Sequence, residues 1–253
     1  MSAFTLKWIA MVTMFIDHLF ASCINPYNTD LFGIGNISVP YMGISLYWLG
    51  RMIGRIAFPI FCFQIAEGVR YTKNWKRYML RIILLAFLSE IPFDLALKGF
   101  RINCSSQNVF FTLLLGMIAV IFMKVINHRW KYIVWPFLVA VLGYLAKAVF
   151  HTDYDWSGVA CIAIMGLMNE PWEKLFKPYT PAVAQMLHAV FAALGISVLY
   201  FKNSFEIYGF IALLFIALYN GRKGYSSKKM QYAFYLFYPV HLLVLALVSN
   251  LIR

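Results

Sequence analysis

Asp17 and His18 stand side by side within an otherwise apolar run, residues 5–24. An ionisable group at the centre of a bilayer costs roughly 3 kcal/mol or more, so an acid beside a histidine there calls for a reason. The chemical reason is general-base work, because a carboxylate can orient an imidazole or hold its proton affinity near neutrality. The structural alternative is a buried tie between helices. Neighbouring residues of a helix point about 100° apart, so adjacency alone does not join the two side chains.

Lys7 precedes His18 by eleven positions, nearly three helical turns, which puts both on one face about 16 Å apart along the axis. Met11 and Met14 fall near the same stripe. The face runs from a cation, past soft apolar side chains, to a base. A ligand with anionic groups at one end and a reactive acyl group at the other fits it; the simpler alternative is a lysine that marks the membrane edge.

Two further pairs of arginines have i,i+4 spacing. Arg51 and Arg55 open the second apolar run, with Gly50 and Gly54 beside them. Neighbouring guanidinium groups suit an anionic or carbonyl-bearing substrate, or lipid headgroups, and the glycines suit close helix packing. Arg77 and Arg81 begin the third run near Arg70, Lys73 and Lys76, a cluster that can cradle phosphates or simply set topology. Glu67, Glu90 and Asp94 are available as partners for these bases. Asn108 opens the fourth run, as a cap or as a polar group aimed into a cavity. In the last run Tyr235, Tyr238 and His241 surround Pro239, and a proline that frees a carbonyl beside an ionisable residue suits a cavity wall. His128, His151 and His188 carry no comparable signal. Cys23, Cys62, Cys104 and Cys161 are too dispersed for zinc or a disulfide framework, so no metal is expected.

These residues must be held by helices in a bilayer. The chain has 253 residues, 62% hydrophobic and 13% charged, against roughly 45–50% and 25% for soluble domains, and its mean hydropathy is +0.72. Apolar runs are read at residues 5–24, 46–67, 78–97, 108–126, 132–150, 156–168, 181–200, 205–220 and 232–251, the sixth being short. The expectation is an all-α polytopic membrane protein, a bundle of about nine transmembrane helices forming a single domain over residues 1–253. A barrel is excluded because apolar residues run continuously instead of alternating.

The net charge of +12 does not signal nucleic acid, because Lys and Arg gather between apolar runs. Placing residues such as Lys7, Arg70 to Arg77, Lys124 to Lys131, Lys174, Lys177 and Arg222 to Lys229 inside makes the N-terminus cytoplasmic. Residues 25–45 and the loop with His151, Asp153 and Asp155 then lie outside. A cleaved signal peptide is not expected, since Asp17 and His18 interrupt its apolar region.

The runs LKWIAMVTMFIDH, GRIAFPIFCFQIAEGVRYTKNWKRYMLRIILLAFLSEIPFD, NVFFTLLLG and FYLFYPVHLLVL resemble the TraX family, in order and over nearly the whole chain. The family's namesake acetylates the N-terminus of F-type pilin, so the resemblance implies acyl transfer. A wider similarity is to membrane acyltransferases that move acyl groups from cytosolic acyl-CoA to extracytoplasmic glycans. Those have an arginine, ten intervening residues and a catalytic histidine in the first span; here Lys7 and His18 have that separation, with Lys in place of Arg. Their paired arginines in the third span are matched by Arg77 and Arg81, and their late Tyr and His by Tyr238 and His241.

Together these readings imply an inner-membrane acetyltransferase that moves an acetyl group from cytosolic acetyl-CoA to an amine or hydroxyl at the outer face. The acceptor is expected to be a peptide, a pilin-like protein or a glycan. His18, Asp17 and His241 are the expected catalytic residues, Lys7, Arg77, Arg81 and Arg70 the donor-binding ones, and Arg51, Arg55, Asn108 and Tyr238 the acceptor-binding ones. The alternative is a secondary transporter or flippase in which Asp17 and His18 relay protons.

Overall fold

Every one of the apolar runs contains helix. The computed structural model describes the chain except residues 41, 100, 103, 104, 171, 173–176, 179 and 253, and the side chains of 32 and 252. Cys104 and Lys174 therefore lie outside the described residues.

The order is α1 Ala3–Ser22, α2 Leu46–Gly54, α3 Ala57–Tyr71, α4 Trp75–Leu97, α5 Val109–Val125, α6 Lys131–Tyr144, α7 Asp155–Gly166, α8 Pro181–Lys202, α9 Ala212–Ala217 and α10 Lys228–Ile252. A π-helical turn, Leu145–Val149, extends α6, and a 3-10 segment, Ser204–Ile211, leads into α9. No strand longer than an isolated bridge occurs among the described residues. Five helical segments are long and apolar enough to cross a membrane: Ala3–Ser22, Leu46–Tyr71, Lys131–Val149, Pro181–Lys202 and Lys228–Leu251. The α5 and Ser204–Ala217 segments are apolar but shorter.

The second run is broken at Arg55 and Ile56. Pro59, in the first turn of α3, has no N–H to return to residue 55, and its ring crowds that carbonyl. The break turns Arg55 out of the regular ladder at a point where α1, α2 and the 3-10 segment meet.

The core is built around α3. Phe58, Ile60, Phe63, Ala66 and Val69 pack with Leu6 and Ala10 of α1, Met117 of α5, Ile162 and Met165 of α7, Ile196 and Leu199 of α8, and Ile216 of α9. A second cluster joins Met14 to Phe93 of α4 and to Tyr238 and Leu242 of α10. Large apolar side chains also point outward in helical stripes: Leu80, Leu84, Phe87 and Ile91 on α4, Ile133, Phe137, Val141 and Tyr144 on α6, and Val240, Leu243 and Leu247 on α10. Such stripes invite aggregation in water but match hydrocarbon, so these faces are the lipid-facing surface of a membrane protein.

Candidate active site

The N-terminal helix carries its histidine to the last helix. His18 Nδ1 lies 2.7 Å from His241 Nε2, and the two rings stack with centroids 5.0 Å apart and planes 8° apart. His241 Nδ1 is in turn 2.6 Å from the Phe237 carbonyl one helical turn earlier. A carbonyl only accepts, so His241 Nδ1 carries the hydrogen. With both rings neutral, His241 Nε2 then accepts, and His18 Nδ1 donates to it. The proton order leaves the lone pair on His18 Nε2, which has no hydrogen-bond partner among the described residues. Tyr238 closes the group, edge-on to His18 at 5.8 Å and to His241 at 5.6 Å.

Asp17 turns away from its neighbour. Arg55 Nη2 donates to both Asp17 carboxylate oxygens, at 3.0 and 3.1 Å, and Arg51 Nη1 approaches Oδ2 at 3.0 Å and donates to the Asp17 carbonyl at 3.2 Å. Arg55 Nη1 reaches across to Glu206 Oε1 at 3.0 Å. Two cations and two anions thus balance inside the bundle, as buried charges must. Close approach of α1 and α2 makes the network possible: a Cβ on Gly54 would collide with the Asp17 carboxylate, and one on Gly50 with the Phe20 ring.

Two cavities flank the histidines. The one of about 430 Å³ is lined by His18, Asp17, Arg51, Arg55, Glu206, Asp153, Tyr154, Asp155 and Lys202, and opens at the end of the bundle that carries Asn25, Tyr47 and Asn203. Within it Lys202 pairs with Asp155. Burial among the surrounding helices pushes the Asp153 carboxyl up to about 6, against the pull of Arg55, although the side chain faces the open space of the cavity.

The other, of about 630 Å³, opens at the opposite end, among Ala3, Thr72, Lys73 and Ser226. Among the described residues Lys7, Lys73, Arg77, Arg81 and Lys223 line it without a single Asp or Glu, and the rest of its wall mixes apolar and aromatic side chains such as Met11, Ile82, Leu113 and Phe234 with the neutral polar Gln64, Asn74 and Gln231. Met14, Phe61, Val109 and Tyr238 line both cavities.

A space whose described lining holds five cations and no acid suits a polyanionic ligand. The profile of the TraX protein family matches residues 2–249. The chain belongs to the TraX family. A "Probable fimbrial assembly protein FimC, serogroup H1" of Dichelobacter nodosus is 26% identical over 262 residues, covering 96% of this chain and 94% of its relative. No solved structure matches significantly.

In this TraX chain Lys7, Met11 and Met14 line the cationic cavity together with Arg77 and Arg81, while Met14 and His18 line the mixed-charge one, with Tyr238 common to both and His241 against His18. Four other expectations change. Asp17 does not support His18, because α1 directs its carboxylate to Arg51 and Arg55. These two arginines line the mixed-charge cavity but are held by Asp17 and Glu206, not free for an anion. Arg70 is absent from the cavity lining; it lies 3.5 Å from Glu67 and over the Tyr71 ring. Asn108 is a fully buried cap: its side chain accepts from Phe110 N at 3.0 Å and donates to the Ala86 carbonyl at 2.7 Å and to Glu90 at 2.5 Å, which ties α5 to α4.

Sequence reasoning passed over Glu206, Asp153 and Tyr154. Glu206 carried the signal that picked out Asp17, an acid at the edge of an apolar run. Asp153 carried none, because a carboxylate in a polar loop is ordinary until the fold turns it into a cavity.

Proposed function

We propose that this TraX-family protein is a membrane acyltransferase with His18 as its general base. The observation that carries the reading is the position of His18: it lines the mixed-charge cavity with an uncommitted Nε2 and packs edge-on to Tyr238, one of the residues that this cavity shares with the cationic one. The first has the charge and depth for acetyl-CoA, with phosphates held by Lys7, Lys73, Arg77, Arg81 and Lys223 and the pantetheine arm against Met11, Leu113 and Phe234. Lys7 in place of an arginine offers a point charge instead of a bidentate fork, and the two neighbouring arginines make up the fork geometry. The second cavity takes the acceptor.

In the reaction, His18 Nε2 takes the proton of an acceptor amine or hydroxyl as its N or O attacks the thioester carbonyl. The C–S bond then breaks, and the proton passes to the departing sulfur to give the free thiol of coenzyme A. His241 holds His18 in the tautomer that keeps Nε2 bare and shares the charge of the imidazolium, so it acts as a positioning residue. Donor entry from the cytoplasm and transfer to a peptide, pilin-like or glycan acceptor outside the inner membrane follow from the orientation given by the basic loops. The name of the fimbrial assembly relative favours a pilin-like acceptor among these.

The test is thiol release from acetyl-CoA by the purified full-length protein, with and without a panel of amine and hydroxyl acceptors. Acceptor-dependent turnover that His18→Ala abolishes while CoA binding persists is the expected result. Absence of acetyl-CoA binding would sink the reading and leave proton-coupled transport, with His18 and Asp17 as relay, to be measured next in proteoliposomes.

A further inference from the structure

Among the described residues, Met14 of α1, Phe61 of α3, Val109 of α5 and Tyr238 of α10 are those common to the walls of the two cavities and stand between them. Met14 and Tyr238 are 8% and 4% exposed and pack in one apolar cluster with Phe61 and Val109 against it. Tyr238 cannot swing aside freely, because its ring is also edge-on to Phe110 at 4.9 Å. His18 lines only the mixed-charge cavity, and Lys7, Arg77 and Arg81 only the cationic one. A donor anchored by those cations must therefore present its carbonyl at this four-residue septum to be in reach of His18.

What lies past the septum fixes what the carbonyl can carry. The cavity on that side is lined by the charged side chains of Asp17, Arg51, Arg55 and Glu206 between patches of Ala57, Phe58, Leu97 and Leu199. An acyl chain that passes the septum strips water from those charges without returning a hydrogen bond. One that stays within it must share closely packed space with two aromatic rings, where extra methylenes force the side chains out of place.

We infer that Met14, Phe61, Val109 and Tyr238 form a gauge that admits a short acyl group and turns longer ones away, a specificity that rests on the donor reading above. Chain length is set by the packed septum together with the charged ceiling beyond it, and the residues most open to tuning are Met14 and Val109, which carry no polar atom that the chemistry needs.

Equilibrium binding of CoA, acetyl-CoA, butyryl-CoA and hexanoyl-CoA to the purified full-length protein tests this, with each acyl-CoA compared with free CoA on the same protein. In wild type, acetyl-CoA binds about as well as CoA, butyryl-CoA about tenfold more weakly and hexanoyl-CoA more weakly still, the scale on which a pocket senses added methylenes. Val109→Ala and Met14→Ala each bring butyryl-CoA back to within roughly threefold of free CoA. Hexanoyl-CoA that binds wild type as tightly as acetyl-CoA overturns the gauge without recourse to any variant. So does a butyryl-to-CoA ratio that neither substitution changes. Failure of free CoA itself to bind wild type is a different result: it removes the donor, and the gauge with it.

Discussion

His18 Nδ1 donates to His241 Nε2 across 2.7 Å, and the Phe237 carbonyl fixes the direction of that donation from the far side of the second ring. The first and last helices of the chain are thereby joined through a proton-ordered pair. General-base removal costs about 10²–10⁴ in rate, so His18→Ala is expected to lower kcat by roughly a thousandfold with little change in donor affinity. His241→Ala should cost less, roughly 10- to 100-fold. The double variant should be scarcely worse than His18→Ala alone, as for groups that act as a unit; multiplicative losses in steady-state kinetics would contradict the pairing.

Arg77→Ala and Arg81→Ala should each weaken CoA binding by about tenfold, the worth of one charge-assisted hydrogen bond. The loss should shrink when dephosphorylated pantetheine thioesters replace acetyl-CoA. Arg70→Ala, off the cavity wall, should leave the affinity unchanged, and isothermal titration separates the three.

Asp17→Asn leaves Arg51 and Arg55 without their shared partner inside the bundle. Breaking a buried pair from one side typically costs about 3–5 kcal/mol, so the variant should unfold several degrees earlier in a thermal melt, while His18→Ala melts close to wild type. An Asp17→Asn protein with unaltered stability and no turnover would move Asp17 from the frame into the chemistry.

Asp153 supplies a pH dependence. Burial raises its carboxyl from an ordinary value of 3.8 to about 6, so the folded protein holds this proton more tightly than the unfolded chain. Its contribution to stability is full below about pH 4 and is lost as the pH rises to about 6. Asp153→Asn should abolish that limb in melts taken across this window; a wild-type melting curve that is flat there, or one that rises, contradicts the assignment.

Much of the path was legible in the sequence because a helix converts spacing into direction. Eleven positions place Lys7 and His18 on one face whatever surrounds them, and the apolar runs announce themselves by length. What escaped depends on contacts that no local spacing encodes. Arg55 reads as a free cation until Glu206, 151 positions away, arrives beside it. Asn108 looked like a cavity group because only the return of α4 brings Ala86 and Glu90 within its reach. Arg70 belongs by sequence to the basic cluster, yet its i,i+3 neighbour Glu67 draws it elsewhere. The pairing of His18 with His241, 223 positions apart, is another such contact, and the Phe237 carbonyl marks which nitrogen of His241 bears the proton.

The septum of Met14, Phe61, Val109 and Tyr238 also has an electrical meaning. Where cavities open from both ends of a membrane protein and fill with water, the field of an energised membrane is concentrated across the residues between them instead of being spread over the full hydrocarbon depth of about 30 Å. A charge that crosses that layer in the catalytic cycle feels most of the potential, worth about 2.3 kcal/mol per 100 mV. In the proposed reaction these four apolar and aromatic side chains act as the insulator across which a carbonyl meets a base without short-circuiting the cell.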